Sequence, residues 1–263
     1  MAEPGPNRVA IVTGAARPWG VGRATALALA GRGYDVAVVD LREDWGAEAA
    51  EAVAALGQGS IFVRTDVSKR ADVFAMVDRV VDRFGRIDAL LNVAGINEMT
   101  RTEDFTDDQF HRIIGVNLLG PMLCAQAVVP AMKARGYGRI VSAASTSPWL
   151  PPPPEATPIS CYVASKGGLI AWTKTAALEL APYGIVTNVV AIGGLANGMG
   201  TETAPDAQMV EFMEQVVHGG NLPWGRAITS EETGALLAEV ASMESHALLG
   251  ATIHASGGRI MPL

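Results

Sequence analysis

The sequence predicts an α/β fold: a single doubly wound parallel sheet of about seven strands with helices on both faces. Three observations carry that expectation. Short runs rich in Val, Ile and Ala alternate with longer stretches of helical period along the 263 residues. The short runs are apolar nearly throughout rather than at every second residue, as strands buried on both faces are. Glycines and single acids close one element after another, where turns need them.

Taken in order, the first strand is read at residues 8–13 (RVAIVT), followed by the glycine-bearing turn 14–20 and a helix over 21–32 that Gly33 ends. The second strand, 34–39, is closed by Asp40. A helix at 43–56 leads through Gly57 and Gly59 to a strand at 60–65 and Asp66. A helix at 69–84 ends at Gly85 and feeds a strand at 87–93. Two long helices, 107–134 and 162–180, then precede strands at 139–144 and 185–191. A last helix, 230–243, precedes a strand at 251–255. No repeat or linker marks a second unit, so one domain over 1–263 is expected, with a substrate loop or lid at about 193–228. The proline-rich segment 148–158 lies between a strand and a helix and reads as a stiff surface loop.

Composition narrows the function. Hydrophobic residues make up 49% and charged residues 18%, a globular balance, and the net charge of −7 argues against a nucleic-acid partner. An acidic protein can still hold a nucleotide, because backbone N–H groups bind phosphates. Two cysteines, Cys124 and Cys161, form neither a disulfide framework nor a metal-ligand set, so no metal is expected. The start, with Glu3, Pro4 and Pro6, is not the pattern of a secretory leader. The uncharged stretch 180–201 is broken by Pro182, Asn188, Asn197 and glycines, so no membrane span is expected and the location is read as cytoplasmic.

The turn after the first strand, Thr13-Gly14-Ala15-Ala16-Arg17-Pro18-Trp19-Gly20-Val21-Gly22, opens directly into a helix. Glycines there permit a tight turn and close backbone approach, and the helix N-terminus offers N–H groups to a pyrophosphate. This is a Rossmann-type arrangement. Asp40 is placed to accept from the adenosine ribose hydroxyls and to repel a 2′-phosphate, which favours NAD over NADP. Arg17 and Arg42 keep NADP open as a second choice. Asp66 and Val67 would lie beside the adenine; Asp66 serves equally well as a helix cap.

These features resemble the short-chain dehydrogenase/reductase family across nearly the whole chain. The family's Thr-Gly…Gly-x-Gly motif is similar to Thr13-Gly14…Gly20-Val21-Gly22, and its Asn-Asn-Ala-Gly is similar to Asn92-Val93-Ala94-Gly95. Asn117 resembles its helix-borne asparagine, Ser145 its catalytic serine, and Tyr162-Val163-Ala164-Ser165-Lys166 matches Tyr-x-x-x-Lys. Asn188 and Gly193, with Leu195 beyond, resemble the segment that closes over the nicotinamide; Ser256-Gly257-Gly258 resembles the C-terminal motif. The chain departs from the pattern at Pro18-Trp19, which lengthen the glycine loop, at Val93 and at Ile192. It also departs in the long gap between Ser145 and Tyr162, which makes Ser147 a rival to Ser145.

Tyr162 and Lys166, at i and i+4, share a helical face. A free phenol has a pKa of about 10 and is a poor base at neutral pH. A nearby ammonium is expected to lower it, so that Tyr162 takes a proton from an alcohol or gives one to a carbonyl. Ser145 would hydrogen-bond the same oxygen. The resemblance implies further that Lys166 holds the nicotinamide ribose, that Asn117 anchors a water, and that the protein is a homotetramer joined through the long helices. His111 reads as an ordinary helix residue. Trp149, Glu155, Leu195, Asn197 and Met199 flank the site, and Met209, Phe212, Met213, Val216 and Val217 suggest a lid or packing helix.

The expected function is an NAD-dependent interconversion of a secondary alcohol and a ketone, with a small molecule as the only partner besides a second copy. Two alternatives stand beside it. An enoyl reductase would share the long glycine loop, but there six residues separate Tyr from Lys, and Leu169 occupies that place here. A catalytically silent NAD-binding regulator could use the same fold.

Overall fold

The computed structural model describes residues 7–155, 157–195, 203–217 and 222–260; the readings at residues 1–6, Asn197 and Met199 fall outside them. Seven strands, β1 Arg8–Thr13, β2 Tyr34–Asp40, β3 Ser60–Arg64, β4 Ala89–Asn92, β5 Gly138–Ser145, β6 Ile185–Ile192 and β7 Thr252–Ala255, form one sheet in the order β3-β2-β1-β4-β5-β6-β7. Every pairing is parallel. The strand order reverses between β1 and β4. A doubly wound sheet opens a crevice there, at the carboxyl ends of its strands.

Each face of the sheet has its own core. Helices α1 (Val21–Ala30), α2 (Glu43–Ala54) and α8 (Ser230–Ser242) cover one face through Val21, Leu29, Val53, Leu237 and their neighbours. On the other, α3 (Arg70–Phe84) and α5 (Gly120–Arg135) pack Met76, Val80, Leu123, Val128 and Met132 against the strands. Helix α6 (Ser160–Leu180) adds Leu169 and Ile170 against Ala144 and Val189. These two cores are why the strands read as continuous apolar runs. The buried Cys124 thiol belongs to the second core, and burial pushes its pKa up to about 12.

Most element ends agree with the sequence reading to within two residues. Two helix starts have a visible chemical cause: Thr106 and Thr229 each close a capping box, with Gln109 and Glu232 at the third helical position. One expectation needs correction. The helix foreseen over 107–134 is α4 (Asp107–Ile114), a π-helical turn at Gly115–Leu119, and then α5. The widened turn carries Asn117, and such turns concentrate at functional sites. This helical run, Asp107–Arg135, is long and apolar enough to cross a membrane, but 56% of its most apolar window is buried in the packing just described. The helix expected around Met209 is also present, as α7 (Ala207–Phe212) running into a π turn at Met213–Val217.

Candidate active site

At the end of β1 three backbone segments come close together. A Cβ on Gly22 would lie 2.1 Å from the Gly14 carbonyl oxygen, and one on Gly14, at φ +67°, would lie 2.7 Å from the Ala94 Cα. Any side chain would push these strands and the helix apart. The Thr13 hydroxyl ties the same corner together: it accepts from the Val93 and Ala94 N–H groups at 3.1 and 3.2 Å and donates to the Leu91 carbonyl at 3.3 Å.

Asp40 ends β2 beside this corner, as expected, and it also braces the glycine loop. One carboxylate oxygen accepts from Ala16 N at 3.0 Å; the other accepts from Leu41 N at 2.7 Å and Arg42 N at 3.2 Å. The added Pro18-Trp19 has a structural use. Trp19 meets Trp45 of α2 edge-to-face, with centroids 5.3 Å apart, and Arg42 stacks on Trp45 at 4.0 Å. Arg17 lies 5.7 Å from the Trp19 ring. Ser230, opening α8, donates to the Trp19 carbonyl at 2.8 Å, which anchors the longer loop from behind. Gly20 closes that loop through its N–H to the Arg17 carbonyl at 3.0 Å.

Beyond the adjacent end of β3, Asp66 shows a turn-capping arrangement. Its carboxylate accepts from Ser68 N at 3.0 Å and Ser68 Oγ at 2.6 Å, three residues short of the α3 cap. Val67 is buried against Gly120. Asn92 donates to Ser142 at 3.3 Å, and its Oδ1 is buried with no hydrogen-bond partner.

The second cluster lies at the ends of β4 and β5. Ser145 is the last residue of β5, paired with Ile192, and Tyr162 and Lys166 lie one turn apart on α6, both buried. Lys166 Nζ donates to the Ala143 carbonyl at 2.9 Å and sits 5.7 Å from the Tyr162 ring centre. Asn117 exchanges hydrogen bonds with the Ile96 backbone, 2.9 Å in each direction, and donates to Ser165 Oγ at 3.1 Å. Ser165 Oγ in turn donates to the Tyr162 carbonyl at 2.6 Å. A Cβ on Gly95 would stand 3.4 Å from both Asn117 Oδ1 and Lys166 Nζ, which shows how closely the turn, the π segment and α6 converge. Thr13 enters the sequence reading only as the start of the glycine motif and Ser165 only as a spacer between Tyr162 and Lys166; the bracing role of either hydroxyl depends on contacts distant in sequence.

The electrostatics correct one expectation. Burial pushes the Tyr162 phenol up to about 12, opposed by a hydrogen bond from Ser145, and brings Lys166 down to about 8. Burial disfavours the charged form of both groups, and what opposes it at Tyr162 is the Ser145 hydrogen bond rather than the expected Lys166 ammonium.

Asn188 turns away from the site and donates to the Leu248 carbonyl, bracing β6 against the lead into β7. Gly193 follows β6 with its N–H on the Ala255 carbonyl at 2.9 Å, and Leu195 bridges Ile228, which ties the chain just after β6 to the chain just before α8. Trp149 packs on His254 at 4.6 Å; Glu155 and His111 are exposed.

The cradle formed by the Cβ-free Gly14 and Gly22 against the Ala94 backbone, flanked by Asp40 and the unpartnered Asn92 Oδ1, fits a dinucleotide stretched from β2 to β5. Sheet order, cradle and buried Tyr–Lys pair together define a nucleotide-dependent oxidoreductase. The chain belongs to the short-chain dehydrogenase family: the family model described as "short chain dehydrogenase" matches residues 8–208. It is 36% identical to the 3-oxoacyl-[acyl-carrier-protein] reductase FabG of Staphylococcus epidermidis over 97% of this chain and 100% of that protein. Among solved structures, a short-chain type dehydrogenase/reductase from Mycobacterium marinum superposes with a TM-score of 0.85 at 30% identity, covering 98% of this chain and 96% of that one. An NAD+-bound xylitol dehydrogenase reaches 0.84, also at 30% identity, covering 96% and 99%.

Proposed function

We propose that this oxidoreductase interconverts a secondary alcohol and a ketone with NAD(H), using Tyr162 as the general acid and base. The observation that carries the reading is the buried Tyr162–Lys166 pair with half-buried Ser145 beside it at the carboxyl ends of the central strands. The nicotinamide, when bound, accepts or returns the hydride. Gly14, Arg17, Gly20 and Gly22 would line the pyrophosphate, with Asp40 at the adenosine ribose and Asp66 and Val67 at the adenine. Asn92, Ala94, Gly95, Gly193 and Leu195 would flank the nicotinamide half, and Lys166 its ribose.

In reduction, Tyr162 donates its phenolic proton to the carbonyl oxygen, and Ser145 donates a hydrogen bond that stabilises the charge gathering there. The Lys166 ammonium then stabilises the phenolate left behind. In oxidation the same groups work in reverse. Both Asn117 Nδ2 hydrogens are already engaged, so its contribution is to hold the Gly95–Ile96 turn against Lys166.

NAD is favoured because Asp40 repels a 2′-phosphate and because Arg17 and Arg42 lie against tryptophan rings. The small-molecule substrate class includes 3-oxoacyl thioesters, which the name of the FabG relative brings into the panel. The exposed Leu119, Met122 and Leu178 on the long helices support a homotetramer. A cytoplasmic location, a single domain and the lack of a membrane or nucleic-acid partner complete the reading.

Replacing Tyr162 with Phe is expected to abolish turnover while leaving NADH affinity nearly unchanged. The measurement is a panel of secondary alcohols, polyols, ketones and 3-oxoacyl thioesters, run with NAD(H) and NADP(H) in parallel beside an NADH titration. Turnover by the Phe variant at the wild-type rate would refute the role of Tyr162. NADH binding with no turnover of any compound by the wild type would instead favour a silent regulator.

A further inference from the structure

Beyond the Ser145–Tyr162–Lys166 cluster, a second hydroxyl is aimed at the first. Ser147 is buried, and both of its polar groups reach the same atom: its N–H donates to Ser145 Oγ at 3.1 Å, and its Oγ lies 2.9 Å from Ser145 Oγ. A serine hydroxyl offers one hydrogen and two lone pairs. The Ser147 N–H occupies one Ser145 lone pair, since a backbone N–H can only donate. If Ser145 gives its single hydrogen to the reacting oxygen, the 2.9 Å contact must run from the Ser147 hydroxyl to the other lone pair.

We propose that Ser147 is a positioning residue which, by filling both acceptor sites of Ser145, leaves that hydroxyl only its hydrogen to give: to the Tyr162 oxygen in the empty site, and to the substrate oxygen once substrate is bound. This rests on the assignment of Ser145 made above, and it removes Ser147 as a rival catalytic serine. The backbone supports the arrangement. Thr146, between the two serines, is fixed by its N–H to the Ile192 carbonyl at 3.0 Å, and the Trp149 and Leu150 N–H groups both fold back to the Thr146 carbonyl at 3.0 Å. The tight turn holds Ser147 over the end of β5, ahead of the proline-rich segment. Hydrogen bonds in such a chain polarise one another, so an incoming bond at Ser145 Oγ strengthens its outgoing one.

The test is a double-mutant cycle on carbonyl reduction. Ser147→Ala is expected to lower kcat roughly 3- to 10-fold, the range of one neutral hydrogen bond, with KM and NADH affinity within about twofold of wild type. Ser145→Ala is expected to lose on the order of 100-fold or more. The double variant should fall no further than Ser145→Ala, because Ser147 acts only through Ser145. Ser147→Thr, which keeps a hydroxyl, should recover most of kcat. Thermal melts report whether each variant is folded; if Ser147→Ala is not, the comparison of Ser147→Thr with wild type carries the test, and a full loss of kcat in folded Ser147→Thr counts against the proposal. Wild-type kcat in folded Ser147→Ala, or fully additive losses in the double variant, would overturn it. Full activity in Ser145→Ala would instead bring down the Ser145 assignment itself, a distinguishable result.

Discussion

Tyr162 and Lys166 lie one helical turn apart, and burial acts on both in the same sense, against charge. For Tyr162 that means a phenol at about 12, fully protonated at neutral pH and ready to act as an acid. For Lys166 it means an ammonium that titrates at about 8, within reach of ordinary buffers. The pH consequences differ in sign between directions. Oxidation needs the phenolate, so its kcat/KM should climb with pH. Reduction needs the phenol together with the Lys166 charge, so it should hold steady below about pH 8 and decline above it. Initial rates in both directions across about pH 6 to 10 check this, and flat profiles in both would contradict it.

At the scale of elements, the ends of β5 and β6 set where Ser145 can be. A Cβ on Gly193 would stand 2.1 Å from the Thr146 hydroxyl, so the chain after β6 passes against the residue that follows Ser145. Gly193→Ala should therefore displace Thr146 and Ser145 together. A tenfold or greater fall in kcat, with a destabilisation of about 1–3 kcal/mol, is expected from overpacking at a site with little room to relax. Steady-state kinetics and denaturant melts would expose the error if both stayed at wild-type values. Strands and their order of occurrence were legible in sequence, because strands buried on both faces become uninterrupted apolar runs and their turns need Gly or Asp. The Tyr162–Lys166 spacing was legible for a similar reason, since helical geometry fixes the relation of i and i+4. The π turn at Gly115–Leu119 was not, for Gly-Val-Asn-Leu-Leu carries no compositional mark; the turn is held by Asn117 reaching Ile96 and Ser165, contacts distant in sequence. Asp40 was legible as the acid that closes β2 but not as a brace for Ala16, which requires the loop's three-dimensional path.

For the whole molecule, the arrangement separates two tasks across the sheet. One face, under α1, α2 and α8, backs the nucleotide cradle; the other, under α3, α5 and α6, carries Asn117, Tyr162 and Lys166. The outer sides of α5 and α6 expose Met122 and Leu178 among polar residues, and Leu178 is 74% exposed in the isolated chain. Leu178→Lys is expected to shift a tetramer to a smaller species by light scattering, with turnover per folded subunit falling less than the assembly does. A wild-type mass in solution that matches one chain would remove the tetramer from the proposal.

The Trp19–Trp45 pair gives the protein a built-in optical reporter. Two indoles in edge contact stand beside the loop that would hold the pyrophosphate, two of only five in the chain. Reduced nicotinamide absorbs where indole emits, so cofactor arriving in that crevice should drain indole fluorescence into its own. Occupancy could then be followed in the untagged protein without any substrate at all.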